Sequence, residues 1–303
     1  MRNAALQFWR DSIRGSFSLG GLSWKRLIGD LWASANEDDI LDRSAELAYY
    51  FFFALFPALI FLSAMFGIFV RHKQELNLEL MIYLAKVIPP VAFGMVDTAF
   101  TATTRASNTG NLAFGAIVAL WSATYGMSSA QSTLNVVYRV KETRPFWKAK
   151  LIAATLTLIF FVLVCCGLLV LTFGDYLAKL LINAVLVNPT ALIAWKLVQM
   201  SASLLVLSLV FSLTYRWGPS KNNSRWRWIT PGAMVGIVGW LAVSIAFRIY
   251  LRFFNNYATT YGAFGAVIVL LTWFYISGLM LLLGAEINAI IERANESRRS
   301  SAI

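Results

Sequence analysis

The sequence predicts an all-α polytopic membrane protein with six transmembrane helices. Three observations carry that expectation: the apolar balance, the length of the uncharged runs and the placement of the basic residues. Hydrophobic residues make up 58% of the 303 residues and charged residues only 14%, a balance that a water-facing surface tolerates poorly. A spanning helix needs roughly 20 mostly apolar residues to cross about 30 Å of hydrocarbon. The long runs lack the alternation of barrel strands, so helices are the form in which they satisfy their backbone in lipid.

Residues 1–44 form an N-terminal segment whose mixed polar character does not match a secretory signal. Within it Trp24, Leu27, Ile28, Leu31 and Trp32 recur at helical spacing, with Lys25, Arg26 and Asp30 elsewhere around the helix. Such a stripe suits the membrane interface and the end of a helical bundle equally, and both readings stand. The transmembrane domain is expected over 45–290, with spans at about 45–70, 111–138, 151–174, 191–215, 229–251 and 264–289. Leu47–Val70, Ala106–Tyr138, Leu151–Gly174, Trp228–Phe247 and Phe253–Ala285 carry no charge, and the fourth span is interrupted once, by Lys196. Between the first two spans Leu76, Leu80, Leu84, Val87 and Ile88 predict short helices before Pro89 and Pro90 interrupt. Residues 291–303 form a tail.

The net charge of +11 raises the question of nucleic acid. Its distribution answers otherwise. With both termini cytoplasmic, 18 basic residues fall on the inside segments and 7 on the outside ones, as expected where Lys and Arg concentrate on the cytoplasmic side. No basic-aromatic module accompanies them, so nucleic acid is not expected as a partner. The adjacent Cys165 and Cys166 cannot form a stapling framework and read as packing residues. His72 is the single histidine; no metal constellation is visible and no cofactor is expected.

Polar groups at membrane depth are the candidate functional residues, because hydrocarbon penalises them unless a partner or a solvated cavity receives them. Trp121, Tyr125, Ser128, Ser132, Asn135 and Arg139 follow one another at steps of three and four, a single stripe on the second span. The stripe is either a pathway wall or a set of packing positions. Glu46 opens the first span and Glu286 nears the end of the sixth; with Arg43 and Arg139 at similar depth, a network closing the inner helix ends is expected. Lys196, Arg248 and Arg252 gather toward the opposite boundary, where an anionic headgroup or simple snorkelling explains them. Pro57, Pro231, Gly232, Gly236, Gly262, Gly265 and Gly284 are read as helix-packing positions, Gly232 and Gly236 forming a GxxxG.

Three separated blocks resemble the YihY/BrkB family of bacterial inner-membrane proteins, also called the virulence factor BrkB family. They are Ala45-Glu-Leu-Ala-Tyr-Tyr through Phe56-Pro57; Gly115 to Arg139, ending Asn135-Val-Val-Tyr-Arg139; and Pro231-Gly-Ala through Tyr261-Gly-Ala and Trp273-Phe-Tyr to Leu283-Gly-Ala-Glu286-Ile-Asn288. Their order and spacing cover most of the chain. The resemblance implies a multi-pass protein of the bacterial inner membrane, and the family's association with envelope phenotypes implies a lipid or glycolipid precursor as substrate. Members have also carried a ribonuclease label. Metal-dependent phosphodiester cleavage needs clustered carboxylates or imidazoles, whereas the acidic run Glu37-Asp38-Asp39 reads as helix capping, so no enzyme activity is expected.

The expected function is transport of a lipid-like amphiphile, with membrane lipids as partners and a homo-oligomer or envelope-biogenesis proteins as further ones. The alternatives are an ion- or proton-coupled antiporter, in which Glu46 and Glu286 would titrate, and a non-transporting envelope scaffold. No GxxxxGK[ST] phosphate loop is present, so the chain carries no ATP motor of that kind.

Overall fold

A computed structural model describes residues 22–70, 109–184, 189–221, 230–253 and 257–300, and the described residues form seven helices. These are α1 (Trp24–Glu37), α2 (Ile40–Val70), α3 (Thr109–Val137), α4 (Phe146–Ala184), α5 (Pro189–Trp217), α6 (Pro231–Phe253) and α7 (Tyr257–Ser300). The periodic outer segment from Leu76 to Pro90 lies outside the described residues, as do the surroundings of Pro57, Arg252 and Gly262.

Local chemistry sets the helix starts and ends. Ser23 caps α1 by accepting from the Arg26 amide at 3.4 Å, and the prolines that open α5 and α6 occupy a first-turn position where a missing amide costs nothing. Asp38 and Asp39, the latter at φ 50°, turn the chain between α1 and α2. α3 ends in the paired bonds Arg139 N–H to the Val136 carbonyl and Val140 N–H to the Asn135 carbonyl, with Arg139 at φ 54°. Glycine is the usual occupant of that left-handed position. The sequence stripe therefore stops being helical before its last member, and Arg139 leaves the face shared by Trp121 to Asn135.

Two helices outrun their expected spans. α4 has 39 residues and α7 has 44, because the flanks of the expected α4 span hold no proline or glycine and α7 runs on through Glu292, Arg293 and Glu296, which are polar helix formers. Among the described residues, four helical stretches are long and apolar enough to cross a bilayer: Phe146–Val164, Ile193–Trp217, Pro231–Leu251 and Val267–Arg298. α2 and α3, with 31 and 29 residues, occupy the first two expected spans.

The six long helices pack as neighbours in chain order, α2 on α3, α3 on α4, α4 on α5, α5 on α6 and α6 on α7. α7 closes the ring by packing on α2, and α1 lies against α7 and α2 at one end. Leu27 of α1 is buried with Ile287, Ile290 and Ile291 of α7, and Leu31 packs beside them. Trp24, Ile28 and Trp32, one helical row away, are exposed. The apolar stripe is thus divided, one row on the bundle and one off it.

Burial is unequal along the ring. The main buried cluster draws Ile40 and Leu47, Leu134 and Val137, Leu156, Phe211 and Tyr215, Ile237, and Leu282 and Ala285 from six different helices, all at the end where α1 lies. We call this end the charged pole. Toward the other end, 193–210 of α5, 238–251 of α6 and 267–277 of α7 contain no buried residue, although Gly265 is buried.

Glycines bring α6 and α7 into close contact. A Cβ on Gly232 would run into the Gly284 carbonyl oxygen and approach the Asn288 amide carbon at 2.6 Å, and one on Gly236 would meet the Phe211 ring at 2.8 Å. A Cβ on Gly284 would collide with the Tyr215 hydroxyl, which crosses from α5 to donate to the Leu281 carbonyl at 2.7 Å. The absent side chains let two backbones meet and a phenol reach through. Replacing Gly284 by Val is expected to lower unfolding stability by about 3 kcal/mol or more. Gly29→Ala, at a position where an added Cβ meets nothing within 4 Å, is expected to raise it by roughly 0.5–1 kcal/mol. Thermal unfolding in detergent micelles checks both.

Candidate functional site: the charged pole

Six helix ends and α1 meet at the charged pole, and their unpaired backbone groups need partners. Side chains from neighbouring elements supply them. Arg144, in the α3–α4 connector, donates from Nη1 to the Trp217 carbonyl at 3.2 Å and from Nη2 to the Gly218 carbonyl at 3.0 Å, capping the end of α5. Its guanidinium also grips Glu142 with two bonds of 2.7 Å. Asn135 donates to Glu142 at 2.9 Å and accepts from the Ser220 amide at 2.7 Å, and Thr143 meets the Ser220 hydroxyl at 3.1 Å. At the start of α6, Asn288 of α7 accepts from the Gly232 amide at 2.9 Å and donates to Thr230 at 2.9 Å. At the end of α1, Arg43 donates to the Asp38 carbonyl at 2.9 Å.

Ion pairs complete the closure. Arg139 pairs with Glu37 of α1, its guanidinium held there by the left-handed backbone at the end of α3. Lys221 pairs with Glu292 and lies 3.6 Å from the centre of the Tyr138 ring. Glu286, fully buried, accepts from Arg293 at 2.9 Å through one oxygen, while its other oxygen has no hydrogen-bond partner. One oxygen of the buried Asp38 and the amide nitrogen of buried Gln131 are likewise without one. Burial holds the Asp38 carboxyl above the usual carboxylate range, with Arg139 opposing the shift. Burial also lowers the Lys221 ammonium, with Glu292 opposing. Glu142 goes the other way: its bonds to Arg144, then to Asn135, pull it down to about 2 against the effect of burial.

The sequence-selected residues divide among these contacts. Asn135 is buried in the α5 clamp. Tyr125 and Ser128 turn outward to Lys150 of α4, whose Nζ donates to the Ser128 hydroxyl at 3.0 Å and stands 4.5 Å from the centre of the Tyr125 ring. Trp121 is exposed and meets Tyr125 edge-on, and Ser132 is exposed. The expected network of Glu46, Glu286, Arg43 and Arg139 is partitioned differently: Glu46 accepts from Ser129 at 3.0 Å, while the other three engage Arg293, the Asp38 carbonyl and Glu37. Lys196 and Arg248 are exposed on the far half of α5 and α6, away from the pole. Cys166 is exposed on α4 rather than packed.

Sequence reasoning missed Glu142, Arg144, Ser220, Lys221, Thr230, Glu292 and Arg293. The charge-dense connector Arg139-Val-Lys-Glu-Thr-Arg144 was the available signal for two of them, but neither pairing over two residues in a connector nor pairing across tens of residues to another element leaves a periodicity. Among the described residues no group of three or more His, Cys, Asp or Glu is placed to hold a metal ion.

A carboxylate held below its unfolded value stabilises the fold above that value and ceases to do so as pH falls through the folded one. The Glu142 contribution is therefore full near neutrality and fades from about 4.5 to about 2. Glu142→Gln is expected to cost about 1 kcal/mol at neutral pH, with allowance for the solvent on its outer side. It should also flatten the decline of the unfolding midpoint over that acid window. An unchanged acid slope would mean that the clamp is not formed.

The family model described as Virulence factor BrkB matches residues 31–302. The chain is 36% identical over 251 residues to the putative ribonuclease-like protein YfkH of Bacillus subtilis, covering 83% of this chain and 90% of that protein. It is 25% identical over 291 residues to a UPF0761 membrane protein of Xanthomonas oryzae, covering 93% of this chain and 63% of that one. A UPF0761 membrane protein of Xanthomonas axonopodis is 26% identical over 291 residues, with 64% of its length covered. The chain thus spans somewhat under two thirds of these Xanthomonas relatives. No solved structure matches. With the three motif blocks disposed around one ring of helices and the family model covering nearly the whole chain, the protein is an integral membrane protein belonging to the virulence factor BrkB family.

Proposed function

We propose that the protein crosses the bacterial inner membrane six times, with the charged pole and both termini in the cytoplasm, and moves a lipid-like or envelope-precursor amphiphile across or within that membrane. The basic residues support this orientation, since the sequence puts 18 on the segments expected inside and 7 on those expected outside. The observation that carries the transport reading is the unequal burial of the ring. Every helix is drawn into a polar, hydrogen-bonded closure at the charged pole, while the far stretches of α5, α6 and α7 keep side chains that no described neighbour buries. A bundle sealed at one end, with the described far stretches of three helices left unburied, has the form of an amphiphile pathway held in one access state. Membrane lipids are its natural partners; a second copy or envelope-biogenesis proteins are further ones, and nucleic acid is not among them.

A coupled-antiporter reading has its own support in Glu286, a fully buried carboxylate with one unpartnered oxygen, the kind of group that carries protons through membranes. Hydrolytic chemistry fits the pole less well, because Glu37, Glu46, Glu142, Glu286 and Glu292 are each engaged by other side chains and, among the described residues, no three acids gather around a common point. The name ribonuclease-like attached to YfkH belongs to that protein.

Reconstitution of the full chain into vesicles, with a labelled phospholipid and an imposed pH gradient followed separately, tests the proposal. Lipid movement well above that of protein-free vesicles, with the gradient intact, is the expected result. Gradient collapse without lipid movement, abolished by Glu286→Gln, would replace the proposal with the antiporter. Neither signal would leave a scaffold.

A further inference from the structure

The outward contacts of Tyr125 and Ser128 converge on a lysine that meets no carboxylate among the described residues. Lys150 lies one turn into α4 and is held against α3 by the Ser128 hydroxyl at 3.0 Å and by the Tyr125 ring face. Neither α3 nor the first 19 residues of α4 contain an aspartate or glutamate, and Glu142 in the adjacent connector is already gripped by Arg144 and Asn135. An ammonium group has three donors, and serine takes one. The remaining charge sits at the level of the charged pole with exposed Lys148 nearby on the same helix.

Below Lys150 the surface turns apolar. Trp121, 64% exposed, follows Tyr125 by one turn of α3 toward the membrane interior, with exposed Ile117 a turn further. Leu151 and Leu158 are exposed on α4. At 1.5 Å per residue these rows run roughly 12 Å down from the lysine. A cation fixed at the polar boundary above two exposed apolar rows matches the profile of an anionic amphiphile, phosphate uppermost and acyl chains beneath. Lys221 contrasts with it: it too stands over a tyrosine ring, yet its charge is taken by Glu292.

We propose that the α3–α4 groove headed by Lys150 is a docking site for an anionic phospholipid, its phosphate on the Lys150 ammonium and its chains along Trp121 and Leu158. The inference names a substrate class for the proposed transport and rests on that reading for its use, but occupancy is measured without movement. A vesicle assay showing no lipid movement leaves it standing, and loss of docking leaves other transport routes open.

The test is native mass spectrometry of the full-length protein in detergent, with equimolar dioleoyl phosphatidylglycerol and dioleoyl phosphatidylcholine as probes. The unmodified protein is expected to retain phosphatidylglycerol about tenfold better, the ratio that a single charge-assisted contact supplies. Lys150→Gln should bring the ratio near one, and Lys150→Arg should keep it. Tyr125→Leu, which leaves the charge but removes the ring that positions it, should give an intermediate ratio and stands in if the glutamine variant does not fold. Equal retention of the two lipids by the unmodified protein, or an undiminished preference in the Gln or Leu variant, would overturn the proposal.

Discussion

At the charged pole several helix ends are capped by side chains from other elements of the bundle, and the fold there depends on that arrangement. An end carbonyl or amide near the membrane boundary cannot rely on water as freely as one on a soluble surface, and leaving it unpaired is costly. Arg144 answers for the end of α5, Asn288 for the start of α6, Arg43 for the end of α1, and Asn135 for the segment after α5. Each cap comes from a different element, so satisfying the backbone and assembling the ring are one event. Glu142 is the hub of the largest of these knots, its Oε2 receiving both Asn135 and Arg144.

The closure explains why burial concentrates at one pole. Cross-caps fix the relative positions of the helix ends, and small residues let the backbones touch there: Gly232 and Gly284 between α6 and α7, Gly278 against Leu47 of α2, Gly126 against Tyr50 and Phe51 of α2. Farther along, contacts such as the Trp240 indole donating to Ser277 at 2.9 Å join helices whose surroundings are less enclosed. α1 extends the closed end outward. It holds the bundle through Leu27 and Glu37 and leaves Trp24 and Trp32 exposed.

The helical architecture was legible because hydropathy over 20 residues is a local signal. The stripes and charges of the sequence located Asn135, Arg139 and Glu286 as residues needing partners, but not which partners. Arg139 shows the limit: helical spacing placed it on the stripe, yet the chain turns left-handed there and the side chain swings to Glu37, 102 residues earlier. Glu142 and Arg144 escaped because pairing over two residues in a connector has no periodicity, and Arg293 because it appeared to belong to a tail rather than to a helix continuing to Ser300. Long-range caps are written in pairs of positions, and a single sequence shows only one member at a time.

The central claim, that the pole is one cooperative knot rather than a collection of separate contacts, is tested most directly by a double-mutant cycle of Asn135→Ala and Arg144→Ala on reversible unfolding in mixed micelles. The two side chains meet through Glu142 and through the segment after α5 that both hold. A coupling energy of about 1 kcal/mol or more is the predicted result. Effects that add to within roughly 0.3 kcal/mol would contradict it.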